Sequence, residues 1–209
     1  MALYEEPYGA ILEALASGTP TPGGGTAAAL AGAMAASLAE MVANLTLNRK
    51  KYIAVQPHME QVAKESRELR ARLLSLADED AAVYLGVMAA YKLPKGSDSE
   101  ISDRNGAILR AIEQAARVPL TTADCALRVL ELVSTVAQKG NQNAITDAGV
   151  AMLLGQAAVE GALYNVYINL SSLEIKPSWA ISMTEEAENI ARQASALQLT
   201  VREQLQAIK

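Results

Sequence analysis

The 209-residue chain has no phenylalanine, one tryptophan, one cysteine and one histidine. A single cysteine excludes an internal disulfide, which fits a reducing compartment. Zinc sites and Ser-His-Asp triads both draw on histidine, and a lone His58 beside Pro57 favours neither. We therefore expect no metal site, a solvated position for His58 and a core position for Cys125.

The chain also lacks a basic surplus and a targeting segment. Its net charge of −5 argues against nucleic acid as a partner, because binding to phosphates needs a basic surface. The first residues have neither a basic region nor an apolar stretch of the kind that signal peptides carry. The longest charge-free helical run, residues 26–39, is shorter than the roughly 20 residues of a membrane span. We expect a cytoplasmic protein without a membrane segment.

No segment alternates with a period of two for long enough to predict a strand, whereas apolar residues recur at helical spacing along the whole chain. This pattern predicts an all-α, elongated multi-helix bundle of about six to eight helices, in a single domain over residues 1–209. A continuous helix over residues 57–91 would be about 50 Å long. A compact globule of this size is only about 43 Å across. The molecule is thus elongated, or this helix reaches a second subunit.

The predicted helices have recognisable ends. Capping boxes at Ser97/Glu100 and Ser182/Glu185 predict two helix starts, and Pro119 predicts a kink or an end. The predicted ranges are 4–16, 26–47, 57–91, 97–117, 120–139, 146–170 and 182–209. The helices over 26–47 and 146–170 are each lined by alanine and glycine, so we expect them to be central and to pack against each other.

A loop rich in proline and glycine, residues 17–26, precedes the first of these central helices. Prolines fix φ and glycines permit positive φ, so we expect the loop to adopt a defined conformation rather than a flexible one. The N-terminus of the helix that follows offers unpaired N–H groups to an anion or a polarised oxygen. Thr26, rather than Lys-Ser/Thr, follows the glycines, and no G-x-G-x-x-G occurs, so neither a P-loop nor a dinucleotide fingerprint is present.

Several polar residues lie on or beside the two central helices. Asp80 has apolar neighbours one turn away on either side, which predicts an inward-pointing carboxylate that needs a partner. Asp147 follows an Asn-rich loop, and helix capping is an alternative role for it. Asn165 shares a helix face with Asn169, and Asn44 is a further amide near the end of its helix.

Eight short motifs, which follow one another along the chain, together resemble the sequence pattern of a known protein family. The motifs are Thr19-Pro-Thr-Pro-Gly-Gly-Gly-Thr26, Met41-Val-Ala-Asn-Leu-Thr46-x-x-Arg-Lys-Lys-Tyr52, Asp80-Ala-Ala-Val-Tyr84, Leu93-Pro-Lys95, Val118-Pro-Leu120, Gly140-Asn141, Thr146-Asp147 and Asn165-Val-Tyr-Ile-Asn-Leu170. Over roughly residues 4–205 the chain resembles the formiminotransferase-cyclodeaminase C-terminal domain family, which includes stand-alone bacterial methenyltetrahydrofolate cyclohydrolases. Thr26 and Thr146 stand where serine is common in that family, and Asn48 stands where glycine is frequent.

The resemblance implies an all-helical, homodimeric folate enzyme with no cofactor beyond its tetrahydrofolate substrate. Hydrolysis of 5,10-methenyltetrahydrofolate to 10-formyltetrahydrofolate needs a base for water, a proton for N5 and a site that tolerates a cation. Asp80 and Asp147 suit the base and the cation, and Lys50 suits a proton relay or a substrate carboxylate. The candidate substrate-binding residues are Thr21, Pro22, Gly23, Gly24, Gly25, Thr26, Asn44, Asn141, Thr146 and Asn165.

Two other functions stay open. A formimidoyltetrahydrofolate cyclodeaminase, which releases ammonia, runs through a similar tetrahedral centre and could use the same site. Because the sequence has no attached formiminotransferase domain, we expect the cyclohydrolase function rather than the cyclodeaminase function. A non-enzymatic helical oligomerisation module is the third possibility. The polar residues at the motif positions argue against it, because a pure scaffold would gain from apolar replacements of buried Asp and Asn.

Overall fold

The computed structural model describes residues 3–206, and no strand occurs among them. Six α-helices account for most of these residues: α1 Tyr8–Ala16, α2 Gly24–Thr46, α3 Gln56–Tyr91, α4 Asp98–Lys139, α5 Ile145–Ser171 and α6 Ser178–Gln206. Three short 3₁₀ turns, Leu3–Glu5, Lys50–Val55 and Gln142–Ala144, complete the regular structure. The prediction of an all-α fold is confirmed.

The two helices rich in small residues, α2 and α5, pack side by side in the centre of the bundle. A Cβ added at Gly161 would lie 3.3 Å from that of Ala28, and one added at Gly32 would lie 3.4 Å from that of Ala158. These pairings run in opposite directions along the two helices, so α2 and α5 are antiparallel. Close approach of the backbones is what the small residues provide, as the sequence predicted.

Two long helices make the molecule elongated. The 36 residues of α3 span about 54 Å and the 42 residues of α4 about 63 Å, at 1.5 Å per residue. The predicted continuous helix up to Tyr91 is therefore observed. The capping box of Ser97 and Glu100 opens α4, with both of its reciprocal hydrogen bonds present.

Of the two outcomes predicted at Pro119, a kink or an end, the end is wrong, because α4 runs through this residue. Proline has no N–H, so the carbonyl of Ala115, four residues earlier, loses its helical donor. Asn169 of α5 replaces that donor, because its Nδ2 donates to the Ala115 carbonyl at 2.8 Å. A neighbouring helix thus satisfies the group that proline leaves unpaired.

The predicted start of the last helix is also wrong. α6 begins at Ser178, so Ser182 and Glu185 lie inside it rather than at its cap. The carbonyl of Pro177 accepts from the N–H groups of Ala180 and Ile181, which starts the helix earlier. Packing overrides the capping signal here, because Ala180 is fully buried.

The chain leaves α2 through a residue with positive φ. Asn48 has φ = 61°, a left-handed conformation that asparagine tolerates and glycine adopts freely. This geometry explains why asparagine can stand at a position where glycine is frequent in the resembled family.

Within the described chain, α2 is the helix whose length and composition would allow it to span a membrane. Of its most apolar window, 61% is buried inside the fold. Its neighbours are α3, α4 and α5. Burial against these helices accounts for its apolar character.

Candidate functional site

A cavity of about 330 Å³ lies where the loop before α2 meets the last third of α3 and the last turns of α5. Its polar lining comes from the glycine loop, one carboxylate and two amides, and its apolar lining comes mainly from α3 and α5, with Ala115 of α4. The predicted site residues that line it are Thr21, Gly23, Gly24, Gly25, Asp80 and Asn165. Thr26 lies behind them, fully buried.

Asp80 is the acid of this cavity. The Thr26 hydroxyl lies 3.1 Å from its Oδ2 and donates to it, and the same hydroxyl reaches the Ala77 carbonyl at 3.2 Å. Burial raises the pKa of Asp80, while hydrogen bonds from the Thr26 side chain and main chain act against that rise. The prediction of a carboxylate that points inward toward a partner is confirmed.

The carboxylate lies against the first turn of α2, and Gly25 makes that possible. A Cβ at Gly25 would lie 2.6 Å from Asp80 Cγ and 2.7 Å from its Oδ2, which is closer than real contacts allow. In the described part of the chain no glycine has positive φ, so a left-handed backbone does not explain the glycines of this loop. Close approach, rather than backbone strain, explains why glycine stands at this position.

No lysine or arginine among residues 3–206 forms an ion pair with Asp80. Within the described residues, hydrogen bonds from Thr26 stabilise its ionised form, and the partial positive charge of the α2 N-terminus acts in the same direction. A bound cation would therefore meet an unneutralised carboxylate. The N–H groups of Gly24 and Gly25, in the same first turn, have no donor role within the helix and can meet a ligand oxygen.

Two amides on α5 face the carboxylate across the cavity. Asn165 Nδ2 donates to the Gly161 carbonyl, and Asn169 Nδ2 donates to the Ala115 and Asn165 carbonyls, each at 2.8 Å. These bonds leave the two Oδ1 atoms as acceptors, and no donor to either occurs within the described residues. The site can thus accept hydrogen bonds from a ligand with several N–H groups.

Asn169 was not among the predicted site residues. Its spacing of four from Asn165 indicated a shared face, but its partner on α4 could not be found from sequence alone. The reason lies in Pro119, whose missing N–H creates the acceptor at Ala115. Pro22, which was predicted to bind substrate, is absent from the cavity lining.

The other predicted residues lie at the far end of α2 and α5. Asn44 is near the end of α2, Lys50 begins the 3₁₀ turn that follows, and Thr146 and Asp147 open α5. The length of α2 places this end about 33 Å from the glycine loop. A single copy of the chain therefore does not bring these residues to the cavity.

Asn141, at the same far end, has a structural role. Its N–H donates to Thr46 Oγ1 at 2.8 Å and its Nδ2 to the Leu45 carbonyl at 3.1 Å, while its Oδ1 accepts from the Asn143 N–H. Lys50 is exposed and Asp147 is half-buried. Asp147 makes no side-chain capping bond within the described residues. Its position in the first turn of α5 is favourable for the helix dipole, and its carboxylate oxygens stay available to another group.

Comparison with known proteins gives consistent matches. The formiminotransferase-cyclodeaminase family model matches residues 7–189. The chain is 42% identical to a methenyltetrahydrofolate cyclohydrolase of Methylorubrum extorquens, over 89% of either chain. It is 31% identical to the formimidoyltransferase-cyclodeaminase of Rattus norvegicus, over 82% of this chain and 32% of that one. The crystal structure of a formiminotetrahydrofolate cyclodeaminase from Thermotoga maritima matches with a TM-score of 0.90 and 31% identity, over 99% of this chain and 98% of the other.

Proposed function

Because the chain belongs to the formiminotransferase-cyclodeaminase family, we propose that its Asp80 cavity binds 5,10-methenyltetrahydrofolate and hydrolyses it to 10-formyltetrahydrofolate. The observation that carries this proposal is the Asp80 carboxylate, which is partly desolvated, has no cationic partner among residues 3–206 and lines the same cavity as two amide acceptors. The methenyl carbon and its two nitrogens share a positive charge, which this carboxylate would attract. The amide oxygens suit the N–H groups of the pterin.

The chemistry assigned to Asp80 is proton transfer. Water adds to the bridging carbon of the substrate, and its proton passes to the carboxylate. The protonated carboxyl then delivers this proton to N5, and the bond from the bridging carbon to N5 breaks. The hydroxyl on that carbon loses its own proton to solvent as the formyl C=O forms on N10, so one proton is released overall. The raised pKa makes Asp80 a stronger base than an ordinary aspartate, which suits general base catalysis near neutral pH. In this scheme the tetrahydrofolate substrate is the only cofactor-like molecule.

The first test of this function is turnover of two substrates. With methenyltetrahydrofolate we expect the methenyl absorbance to fall at an enzyme-dependent rate above spontaneous hydrolysis. Ammonia release from formimidoyltetrahydrofolate is the signature of the second candidate, which is favoured by the structural match to a protein named as a cyclodeaminase. Inactivity on both substrates would contradict both enzyme functions and support an oligomerisation module.

We also propose that the protein acts as a homodimer. α4 lies under both α2 and α5, so the outer sides of these two helices form one continuous face. The exposed apolar residues of this α2/α5 face are Met34, Met41, Leu45, Val150, Leu153, Tyr164 and Ile168. Apolar surface of this extent on adjacent helices is typical of an interface, and Ile168 also lines the cavity, so a second copy would help close it.

A two-fold axis across these helices would place the Asp147 end of one copy beside the Asp80 end of the other. Both groups of predicted residues would then serve one site, although they are about 33 Å apart in a single copy. Lys50 and Asp147 would act there as proposed for a proton relay and a second acid. This arrangement explains why one copy separates residues that the resemblance places together.

Placing a charge on the α2/α5 face should split the dimer. Leu153→Asp puts a carboxylate on an exposed leucine in the middle of the face, and we expect sedimentation to give a monomer with lost activity. The matched control is Leu199→Asp, on an exposed leucine of α6. It should leave mass and activity unchanged. A wild-type chain that sediments as a monomer would overturn the proposal.

Mixing variants tests whether the site is shared between copies. Asp80→Asn and Asp147→Asn dimers should each be nearly inactive. After subunit exchange, random pairing makes about half of the molecules mixed, each with one intact site, so roughly a quarter of the wild-type activity should return. No recovery after demonstrated exchange would place each site within one copy.

The cytoplasm is the compartment we propose for this enzyme. The lone, half-buried Cys125 supports that location, because a chain with one cysteine forms no internal disulfide. The net charge of −5 disfavours nucleic acid as a partner.

A further inference from the structure

A second cavity, of about 630 Å³, continues from the Asp80 cavity along the same three helices. On α3 the lining passes from Val87 to Tyr91, which is one helical turn. On α4 it passes from Ala115 to Ile112, and from Asn169 of α5 to Ser172, the residue that follows this helix. Each step is three or four residues, about one turn, so the two cavities form successive parts of one groove.

The second cavity differs from the first in its chemistry. Its walls are largely apolar, with Ile108, Leu109, Ile112 and Leu173 among them, and it contains one guanidinium, that of Arg104. That guanidinium lies 5.7 Å from the Tyr91 ring centroid, and its Nη2 donates to the Tyr91 carbonyl at 3.2 Å. These contacts hold Arg104 in place.

Arg104 takes part in no ion pair between described residues. One acid, Glu174, lines the cavity, and it comes from the connection between α5 and α6 rather than from α4. The guanidinium is therefore oriented, yet its charge is not neutralised. A guanidinium in that state favours a carboxylate or phosphate ligand.

We propose that this second cavity holds the glutamate end of the folate substrate and that Arg104 binds a glutamate carboxylate. The inference rests on the proposed function, because it takes the pterin to lie at Asp80. From Asp80 to Tyr91, α3 advances about 16 Å. From N10 to the glutamate Cα, the aminobenzoyl ring and its amide bond span about 8 Å by ordinary covalent dimensions, and the glutamate side chain and Arg104 extend beyond that. The apolar side chains of Val83, Val87 and Ile112 would then contact the ring between the two polar ends.

A double-mutant cycle between Arg104 and the glutamate tests this assignment. The two substrates are methenyltetrahydrofolate, with one glutamate, and methenyltetrahydropteroate, which lacks it. For the wild type we expect KM to rise about 10-fold when the glutamate is removed, as for the loss of one charge-assisted hydrogen bond, with kcat unchanged. For Arg104→Gln we expect the same KM with both substrates, equal to the wild-type value for the pteroate.

The control is Arg110→Gln, which changes an exposed arginine of α4 that lines neither cavity. It should behave as the wild type with both substrates. If Arg104→Gln raises KM equally for the two substrates, Arg104 supports the fold and the assignment is overturned, while the proposed function stands. A wild-type enzyme that turns over neither methenyl substrate would instead overturn the proposed function, and this inference with it.

Discussion

Asp80→Asn is expected to lower kcat/KM for methenyltetrahydrofolate by about 10²- to 10⁴-fold, the usual loss for a general base. The change removes the charge that attracts the cationic substrate and the group that accepts the proton from water. Asparagine is nearly the same size, and its side-chain oxygen can accept from the Thr26 N–H, as the carboxylate does. Its Nδ2 can donate to the Thr26 hydroxyl, which retains the Ala77 carbonyl as an acceptor. The fold should therefore persist, and the loss of catalysis is measured as the decrease in the rate of methenyltetrahydrofolate hydrolysis.

The same substitution should increase stability at neutral pH. The folded-state pKa of Asp80 is raised by burial, so the folded protein binds this proton more tightly than the unfolded chain does. The contribution of this tighter proton binding to the free energy of unfolding is fully present below the unfolded-state pKa and is lost as the pH rises through the folded-state pKa. At neutral pH the wild type thus keeps a desolvated charge that asparagine removes. We expect a higher melting temperature for Asp80→Asn at pH 7 and a smaller difference at acid pH.

The pH profile separates catalysis from folding. For the wild type, kcat/KM should fall as the pH drops through the raised pKa of Asp80, because only the ionised form attracts the cation and takes the proton. The residual activity of Asp80→Asn should lack this acid limb. Asp78→Asn is the matched control, since Asp78 Oδ1 accepts from the Leu3 N–H and asparagine can do the same. A profile that keeps its acid limb in Asp80→Asn would assign that limb to another group.

The sequence was sufficient to predict this acid because the cause is local. Apolar residues surround Asp80 at helical spacing, and the glycine loop marks the helix start that it approaches. The arrangement of α2 and α5 was predictable for a similar reason, since a helix face of alanine and glycine can bury itself only against another backbone.

What could not be predicted depends on contacts between elements distant in sequence. Asn169 has its role because Pro119, fifty residues earlier, frees a carbonyl on another helix. The packing of Ala180 moves the start of α6 ahead of a good capping box. The separation of Asp80 from Asp147 follows from the antiparallel order of α2 and α5, which motif order along the chain does not reveal.

Gly25→Ala should lower activity by about 10²-fold, because a displacement of about 1 Å in a catalytic group has that effect. The added Cβ would lie 2.6 Å from Asp80 Cγ, so the carboxylate or the first turn of α2 must move. Overpacking of this kind also costs about 1–3 kcal/mol of stability. Gly86→Ala is the matched control, since it makes the same change on α3, where no atom lies within 4 Å of the new Cβ. Activity assays and thermal unfolding of both variants would measure the two effects.

A double-mutant cycle that combines Gly25→Ala with Asp80→Ala shows whether contact with the Asp80 carboxylate causes the loss of stability in Gly25→Ala. If Gly25 is needed because Asp80 lies against it, shortening Asp80 removes the clash. Alanine at position 25 should then be neutral or stabilising, by about 0.5–1 kcal/mol, because alanine favours a helix over glycine. The double variant should thus be at least as stable as Asp80→Ala alone, although Gly25→Ala destabilises the wild type. Equal destabilisation in both backgrounds would mean that Gly25 serves the turn into α2 rather than the approach of the catalytic acid.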